Sequence, residues 1–406
     1  MTPYEPSTLD PILYLTHRVP YPPDKGDRIR NYHLLRQLAT RGRVWLGCLA
    51  DEPIPAETMG KLNEFSEQVA IVPIGRLGRW VKAGVSLLSG RSLSEGLFSE
   101  SQLRHVIRTW TARTRFRAAV ASASSLAPYL RRDGLENVAS IVDLVDVDSQ
   151  KWLDFAAASQ PPRRWLYRLE ASRVRKLETE LARWVRAVSV VSRAEADIYD
   201  SFAGPGAATV ATNGVDLSYF HSIDRPTELA CAFVGAMDYL PNIDGVLWFA
   251  REVWPVVRAK FPGAEFRIVG RKPTAAIEAL KSILGVVVTG SVPDVRPFVT
   301  TASVVVAPLR LARGVQNKVL EALAMGKAVV ATPPALAALG TEPGKHLLMA
   351  TTSTEWIDAV SGLFANQERR RELGAAGRLY VEQHHHWEHC LAPLLQKIFN
   401  PLAGSM

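Results

Sequence analysis

Short runs of apolar, largely β-branched residues recur along the chain, separated by segments whose apolar positions return every three to four residues. This alternation predicts buried strands joined by helices, as in a parallel α/β sheet. In the first half, Ile12–Thr16, Val44–Leu49, Gln68–Ile74, Ala118–Ala121, Ser140–Val145 and Ala187–Val191 read as strands, with a helix from about Asp27 to Thr40. Thr209–Val215 closes that half as a strand and a turn at Asn213–Gly214. A second round follows. Ala230–Gly235, Glu265–Val269, Val286–Thr289, Ser303–Pro308 and Ala328–Thr332 read as strands; Asp244–Arg258, Ala275–Leu284 and Val292–Thr301 read as helices. Two tandem sheets are therefore expected, with a boundary near Phe220–Thr227, and Trp387–Phe399 as a last helix.

One segment of the second half carries chemistry. After the loop Leu309–Gln316 a helix starts near Asn317, a residue type favoured at helix N-caps, and Gly326 is a suitable stop. Ligands of parallel sheets sit beyond the carboxyl ends of the strands, where this helix begins. Its free N–H groups and dipole favour an anion, Lys318 adds a point charge, and Glu321 one turn on accepts hydrogen bonds from a sugar diol. The alternative is a solvated Lys318–Glu321 pair on an ordinary helix.

The chain of 406 residues exceeds a typical single core, which agrees with two domains. Its 47% hydrophobic and 22% charged content is that of a globular protein. Cys48, Cys231 and Cys390 are far apart and lack zinc spacing, so a reducing cytoplasm is expected. No run approaches 18 apolar residues, and MTPYEPSTLDP has no basic-then-apolar signal; neither secretion by that route nor a membrane span is expected.

The net charge of +8 calls for an anionic partner. Gly75–Arg91 holds four basic residues and no acidic one, with Leu77, Trp80, Val81, Gly84, Leu87 and Leu88 at helical spacing. That suits an amphipathic helix on an anionic bilayer, or a core helix with a basic outer face. Arg163–Arg186, with eight basic and three acidic residues, reads as a second membrane-facing element or a solvated helix. The basic patches contain no recognised nucleic-acid module, so nucleic acid is not an expected partner. Neither sheet opens with G-x-G-x-x-G, which disfavours a dinucleotide oxidoreductase. Two further stretches stand out. Asp143–Trp152 (DLVDVDSQKW) sets three carboxylates close together after a strand, an arrangement that needs cations, a metal or solvent. HHHWEHC at His384–Cys390 reads as a solvated helix start with Trp387 packing, because adjacent histidines on a helix cannot all face one metal ion.

The motif GVQNKVLEALAMGKAVV, with VGAMDYLPN and the tandem sheets, resembles the family 4 glycosyltransferases of the GT-B fold. Together with THRVPYPPDKGDRIRNYHLLRQL and DLVDVDSQKW it looks like the sugar transferases associated with PEP-CTERM/exosortase and exopolysaccharide systems. The resemblance implies two Rossmann-like domains facing each other across a cleft: 1–222 for the acceptor, 223–383 for the nucleotide sugar, and 384–406 crossing back to the first. It implies a retaining, metal-independent hexosyl transfer from a nucleotide diphosphate sugar to a lipid-linked or growing saccharide acceptor, without a cofactor, on the inner face of the cytoplasmic membrane. Glu321 matches the ribose-holding glutamate. Gly314, Lys318 and Glu321 match a Gly-x-x-x-Lys-x-x-Glu branch, while Arg313 stands where many members carry a second glutamate near the sugar.

The donor set this implies is Gly235, Asn242, Arg271, Lys272, Arg313, Gly314, Val315, Asn317, Lys318 and Glu321. Gly235 admits the diphosphate, and Arg271, Lys272 and Lys318 balance its charge. The loop Pro22–Arg30 takes the place of the acceptor loop, with Lys25, Gly26, Asp27 and Arg28 or Arg30 as candidates for acceptor phosphates. Asp146 or Asp148 stands about where many relatives carry a histidine near the reacting sugar. These two carboxylates and Lys318 form the catalytic set, with Ser149 and Lys151 orienting the acceptor hydroxyl. Of the other readings, a nucleotide-sugar epimerase of the same fold and a carbohydrate-binding scaffold without turnover stay open.

Overall fold

A computed structural model describes residues 9–75, 78–223 and 227–400. The chain packs into two compact units, one of residues up to Thr212 together with those from Leu391 onward, the other Asn213–Cys390.

The first unit is a seven-stranded parallel sheet of β1 (Asp10–Thr16), β2 (Gly42–Ala50), β3 (Gln68–Pro73), β4 (Ala118–Ser122), β5 (Ala139–Val145), β6 (Ala187–Val190) and β7 (Ala208–Val210), in the order β3-β2-β1-β4-β5-β6-β7. The second is a six-stranded parallel sheet of β8 (Glu228–Val234), β9 (Glu265–Val269), β10 (Val286–Gly290), β11 (Ala302–Ala307), β12 (Ala328–Ala331) and β13 (Leu348–Met349), in the order β10-β9-β8-β11-β12-β13. Strand order reverses between β1 and β4 in one and between β8 and β11 in the other, and a crevice for ligands opens at such a reversal. Both are Rossmann-like. The central strands are apolar throughout because helices cover both faces; every residue of β4, β11 and β12 is buried.

The helix ends differ from the sequence expectation in physically readable ways. The helix placed at Asp244 begins at Leu240, with Pro241 in its first turn, where a missing N–H costs nothing, and it passes through a π-helical turn at Phe249–Val253. The segment from Val292 becomes helical only at Arg296, because the Asp294 carboxylate first accepts from the Arg296 backbone N–H and side chain. Asn317 is not an N-cap but the first helical residue, after Gln316. At the other end of that helix Gly326 has φ 67° and donates to the Leu323 carbonyl, while Lys327 N–H reaches Ala322: a Schellman closure. The histidine run is also corrected. His384 ends one helix, and His385 is buried at the break, its Nδ1 3.0 Å from the Asn213 carbonyl oxygen and its Nε2 3.3 Å from that of Leu339. Trp387 is buried as expected.

Trp387–Phe399 runs from the second unit into the first. Its Leu391, Leu394, Leu395 and Ile398 are fully buried, and the Phe399 carbonyl accepts from Arg117. Among the described residues no helix is long and apolar enough to cross a membrane.

Candidate active site

In the second unit the loop after β8 and the start of the Asn317–Ala324 helix meet. The Lys318 Nζ lies 4.4 Å from the centre of the Phe233 ring, on its face, and donates to the Asn242 Oδ1 at 2.6 Å. Asn242 is held in turn by donating to the Ala236 carbonyl. Gly235 completes the cluster: a Cβ there would lie 2.7 Å from the Asn242 Nδ2 and 3.1 Å from the Lys318 Nζ. At Gly270, just after β9, a Cβ would overlap the Gly235 carbonyl oxygen, so glycine is required there. Glycine at 235 thus leaves backbone open beside an ammonium group.

Lys318 and Glu321 are half-buried, Lys318 in the first turn of the helix and Glu321 one turn on. Burial pulls the lysine down to about 7, against the opposing pull of Glu321, and pushes the Glu321 carboxyl up to about 7, against Lys318. Among the described residues the Glu321 carboxylate accepts no hydrogen bond, and Lys318 forms no close ion pair. Both keep capacity for a ligand. Asn317 is fixed from the side, its Oδ1 accepting from the Asn213 Nδ2 at 3.0 Å.

The other donor candidates lie at the same sheet edge. The Arg271 carbonyl accepts from Met237 N–H, which ties the loops after β8 and β9 together; Arg271 is half-buried. Lys272 is exposed with φ 52°, its Nζ 3.9 Å from Asp238. Arg313, Gly314 and Val315 are half-buried in the loop after β11, and the Arg313 carbonyl accepts from the Gln316 side chain.

In the first unit, Lys25 pairs with Glu52 at 2.8 Å, as does Arg28 at 2.9 Å. Gly26 opens the helix that follows. Asp27 binds Arg18 at 2.8 Å and His17 at 3.2 Å. Burial raises its carboxyl, but the hydrogen bonds and charges of His17 and Arg18 overcome this and hold it far below the usual range.

Arg30 is removed from the acceptor set. Its side chain is wholly buried, donating to both oxygens of Asp143 at 2.7 and 2.9 Å, while Ser189 donates to the same carboxylate. A guanidinium enclosed in this way holds β5 and β6 to the first helix and offers nothing to a ligand. Asp143 is thereby explained as well: its counter-ion is internal.

The rest of the acidic stretch follows a distorted strand end. Val145 has φ 68° and Ala123, just after β4, has φ 87°. Such values strain a residue with a Cβ, most of all a β-branched one, and cluster at sites where the backbone must aim a side chain. Beyond Val145, half-buried Asp146 is followed by Asp148, whose Oδ2 accepts from Ser124 at 2.9 Å. Ser149 is fully buried. Its N–H donates to Glu178 and its Oγ accepts from Arg175, so it supports the loop and does not face a ligand. Burial, then the charge of Asp148, push the Glu178 carboxyl up to about 8. Lys151 is half-buried on the helix that begins at Asp148. Among the described residues no three His, Cys, Asp or Glu side chains are placed to share a metal ion.

Sequence reasoning missed Phe233, which looks like any core aromatic, and the strained Ala123 and Val145, since neither residue type signals positive φ. Asn213 was visible only as a turn.

With this geometry in view, residues 228–366 match the family model Glycosyl transferases group 1. That span lies within the second unit and includes every donor candidate. Glycosyl transfer is the activity supported. No curated protein matches the chain in sequence. Among solved structures, sucrose-phosphate synthase from Thermosynechococcus elongatus is similar at TM-score 0.68 and 16% identity, covering 95% of this chain and 98% of that one. Anabaena HepE in complex with UDP-glucose is similar at TM-score 0.68 and 14% identity, with 96% and 99% covered. WaaG, a glycosyltransferase involved in lipopolysaccharide biosynthesis, is similar at TM-score 0.68 and 12% identity, with 96% and 100% covered. The fold is GT-B.

Proposed function

We propose that the protein is a retaining hexosyltransferase of the family 4 type. It takes a nucleotide diphosphate sugar as donor and a lipid-linked or growing saccharide as acceptor, and serves exopolysaccharide synthesis of the PEP-CTERM/exosortase kind. One observation carries this reading: Lys318, Glu321, Asn242 and open backbone at Gly235 converge at the start of one helix. The cation and the helix N-terminus suit a diphosphate, and an unengaged carboxylate one turn on suits a ribose diol.

In the reaction, the bond from the sugar's anomeric carbon to the diphosphate oxygen breaks. A new bond to the acceptor oxygen forms on the same face, and the acceptor proton passes to a carboxylate, Asp146 or Asp148. Lys318, Arg271 and the helix dipole stabilise the charge that builds on the departing diphosphate, which is electrostatic catalysis. Gly314, Val315 and Asn317 shape the loop around the donor, with Lys272 at its rim and Arg313 towards the sugar. Lys25, Gly26 and Asp27 lie in the acceptor loop. The exposed faces of Gly78–Leu88 and of the N-terminal part of Arg163–Trp184, which carry Trp80 and Trp165, suit peripheral attachment to an anionic cytoplasmic membrane face. Leu77 of the expected amphipathic stretch lies outside the described residues.

Acceptor-dependent release of nucleoside diphosphate, with the anomeric configuration of the product read by NMR, tests the proposal. Isomerised donor without acceptor would point to an epimerase, and sugar binding without either reaction to a scaffold.

A further inference from the structure

The first unit holds a groove of about 280 Å³ that none of the donor or acceptor candidates lines. One wall is the Gly78–Leu88 helix, contributing Val81, Lys82 and Val85; another is the 3-10 segment Ser124–Arg131, contributing Ser125 and Tyr129. Arg91 and Arg104 stand at its sides. The floor exists because Gly96 packs against the helix: a Cβ there would come 2.5 Å from the Lys82 carbonyl oxygen.

Two properties occur together here. Val81 and Val85 are 68% and 61% exposed, and on the same helical stripe Trp80 and Leu88 are 61% and 90% exposed. This apolar face has no covering element among the described residues. Beside it stand three cations and one carboxylate, Glu95, which is engaged by the Ser92 N–H and hydroxyl. Lys82 binds Glu100 at 2.6 Å, and Arg104 lies over the Tyr129 ring and 3.7 Å from Asp133. Exposed Arg91 has no side-chain partner among the described residues. A sugar or free nucleotide would leave the apolar stripe in water, and an apolar peptide would leave Arg91 unmatched. An anionic head on a hydrocarbon chain satisfies both.

The groove is also connected to the acidic loop. Ser125 lines it, and the adjacent Ser124 donates to Asp148. Tyr129 donates to the Phe98 carbonyl, and the Phe98 ring meets His17, the partner of Asp27, edge to face at 5.8 Å.

We infer that this groove binds the phosphate-bearing end of a single lipid molecule, with the chain running along the Trp80–Leu88 stripe. Its use as the anchor for the acceptor rests on the transferase reading above; its occupancy by a lipid phosphate does not. The discriminating ligand is dihexanoyl phosphatidic acid, kept below its micelle concentration so that no bilayer exists, titrated against the full chain. Saturable binding is expected, followed by Trp80 fluorescence. Ser89→Trp fills the groove from an exposed lining position, and R91E reverses the unpartnered cation; each should weaken binding at least tenfold and leave UDP binding intact. Both sites are exposed, so folding is not at stake. Three results would overturn the inference: no saturable binding, equal binding by Ser89→Trp, or equal binding of glycerol 3-phosphate, which has the phosphate without chains. Failure of every nucleoside diphosphate to bind the wild type, with lipid binding retained, would remove the transferase reading and leave the lipid site standing.

Discussion

The loops at the carboxyl edges of the two sheets carry similar residues and treat their charges in opposite ways. After β1, the cations are matched inside the protein: Lys25 and Arg28 on Glu52, Arg18 on Asp27 and Asp51, Arg30 on Asp143. After β11, Arg310 is matched by Asp244, but Lys318 rests on an aromatic face and an amide oxygen, and the Glu321 carboxylate accepts no hydrogen bond among the described residues. A basic or acidic motif therefore marks a binding site only where the fold withholds the internal counter-charge. The first loop spends its charges on holding helix to sheet, whereas the second keeps two partly buried charges short of partners, and both drift towards neutrality near pH 7.

The largest effect is expected at Asp143. Asp143→Ala strands a buried guanidinium, which should cost about 3–5 kcal/mol in urea unfolding while leaving the donor residues in place. A loss below about 1 kcal/mol would show that the first loop does not depend on its internal pairs. Next in size is Lys318→Met. Removing the cation should weaken nucleoside diphosphate binding by about 1.5–3 kcal/mol with little change in unfolding free energy, as calorimetry and urea titration would read. Gly235→Ala should follow, at about 1–3 kcal/mol in donor binding, because the new methyl meets the Asn242 amide and the Lys318 ammonium.

Lys318 and Glu321 give donor binding two opposite pH dependences. A bound pyrophosphate favours charged Lys318 and raises its lowered pKa, so binding takes up a proton and weakens as pH climbs above about 7. A nucleoside whose diol donates to Glu321 favours the ionised carboxylate and lowers its raised pKa, so binding releases a proton and weakens as pH falls below about 7. Calorimetry in buffers of different ionisation enthalpy reads both signs. The smallest effect belongs to Lys25→Ala, about 0–1 kcal/mol in stability, since its pair with Glu52 is partly solvent-exposed.

Much of this was legible in the sequence. Continuous apolar, β-branched runs located the strands of both sheets except the two-residue β13, too short to show a pattern. The Gly326 stop was legible because glycine is the residue that a left-handed C′ position selects. The failures share a cause, which is contact across long sequence separation. Arg30 looked like a loop cation because its partner lies 113 residues away. Asn317 looked like a cap because Asn213, 104 residues earlier, engages its side chain. His385 looked solvated because the two carbonyl oxygens beside its ring come from loops remote in sequence.

In the proposed reaction the Asn317–Ala324 helix holds a nucleoside diphosphate through Lys318 and Glu321. Isothermal titration of UDP and the other nucleoside diphosphates into wild type, Lys318→Met and Glu321→Ala tests it most directly. The account predicts saturable binding of at least one nucleotide, weakened tenfold or more by each substitution, with the protein still folded. Unchanged affinity in both variants would contradict it.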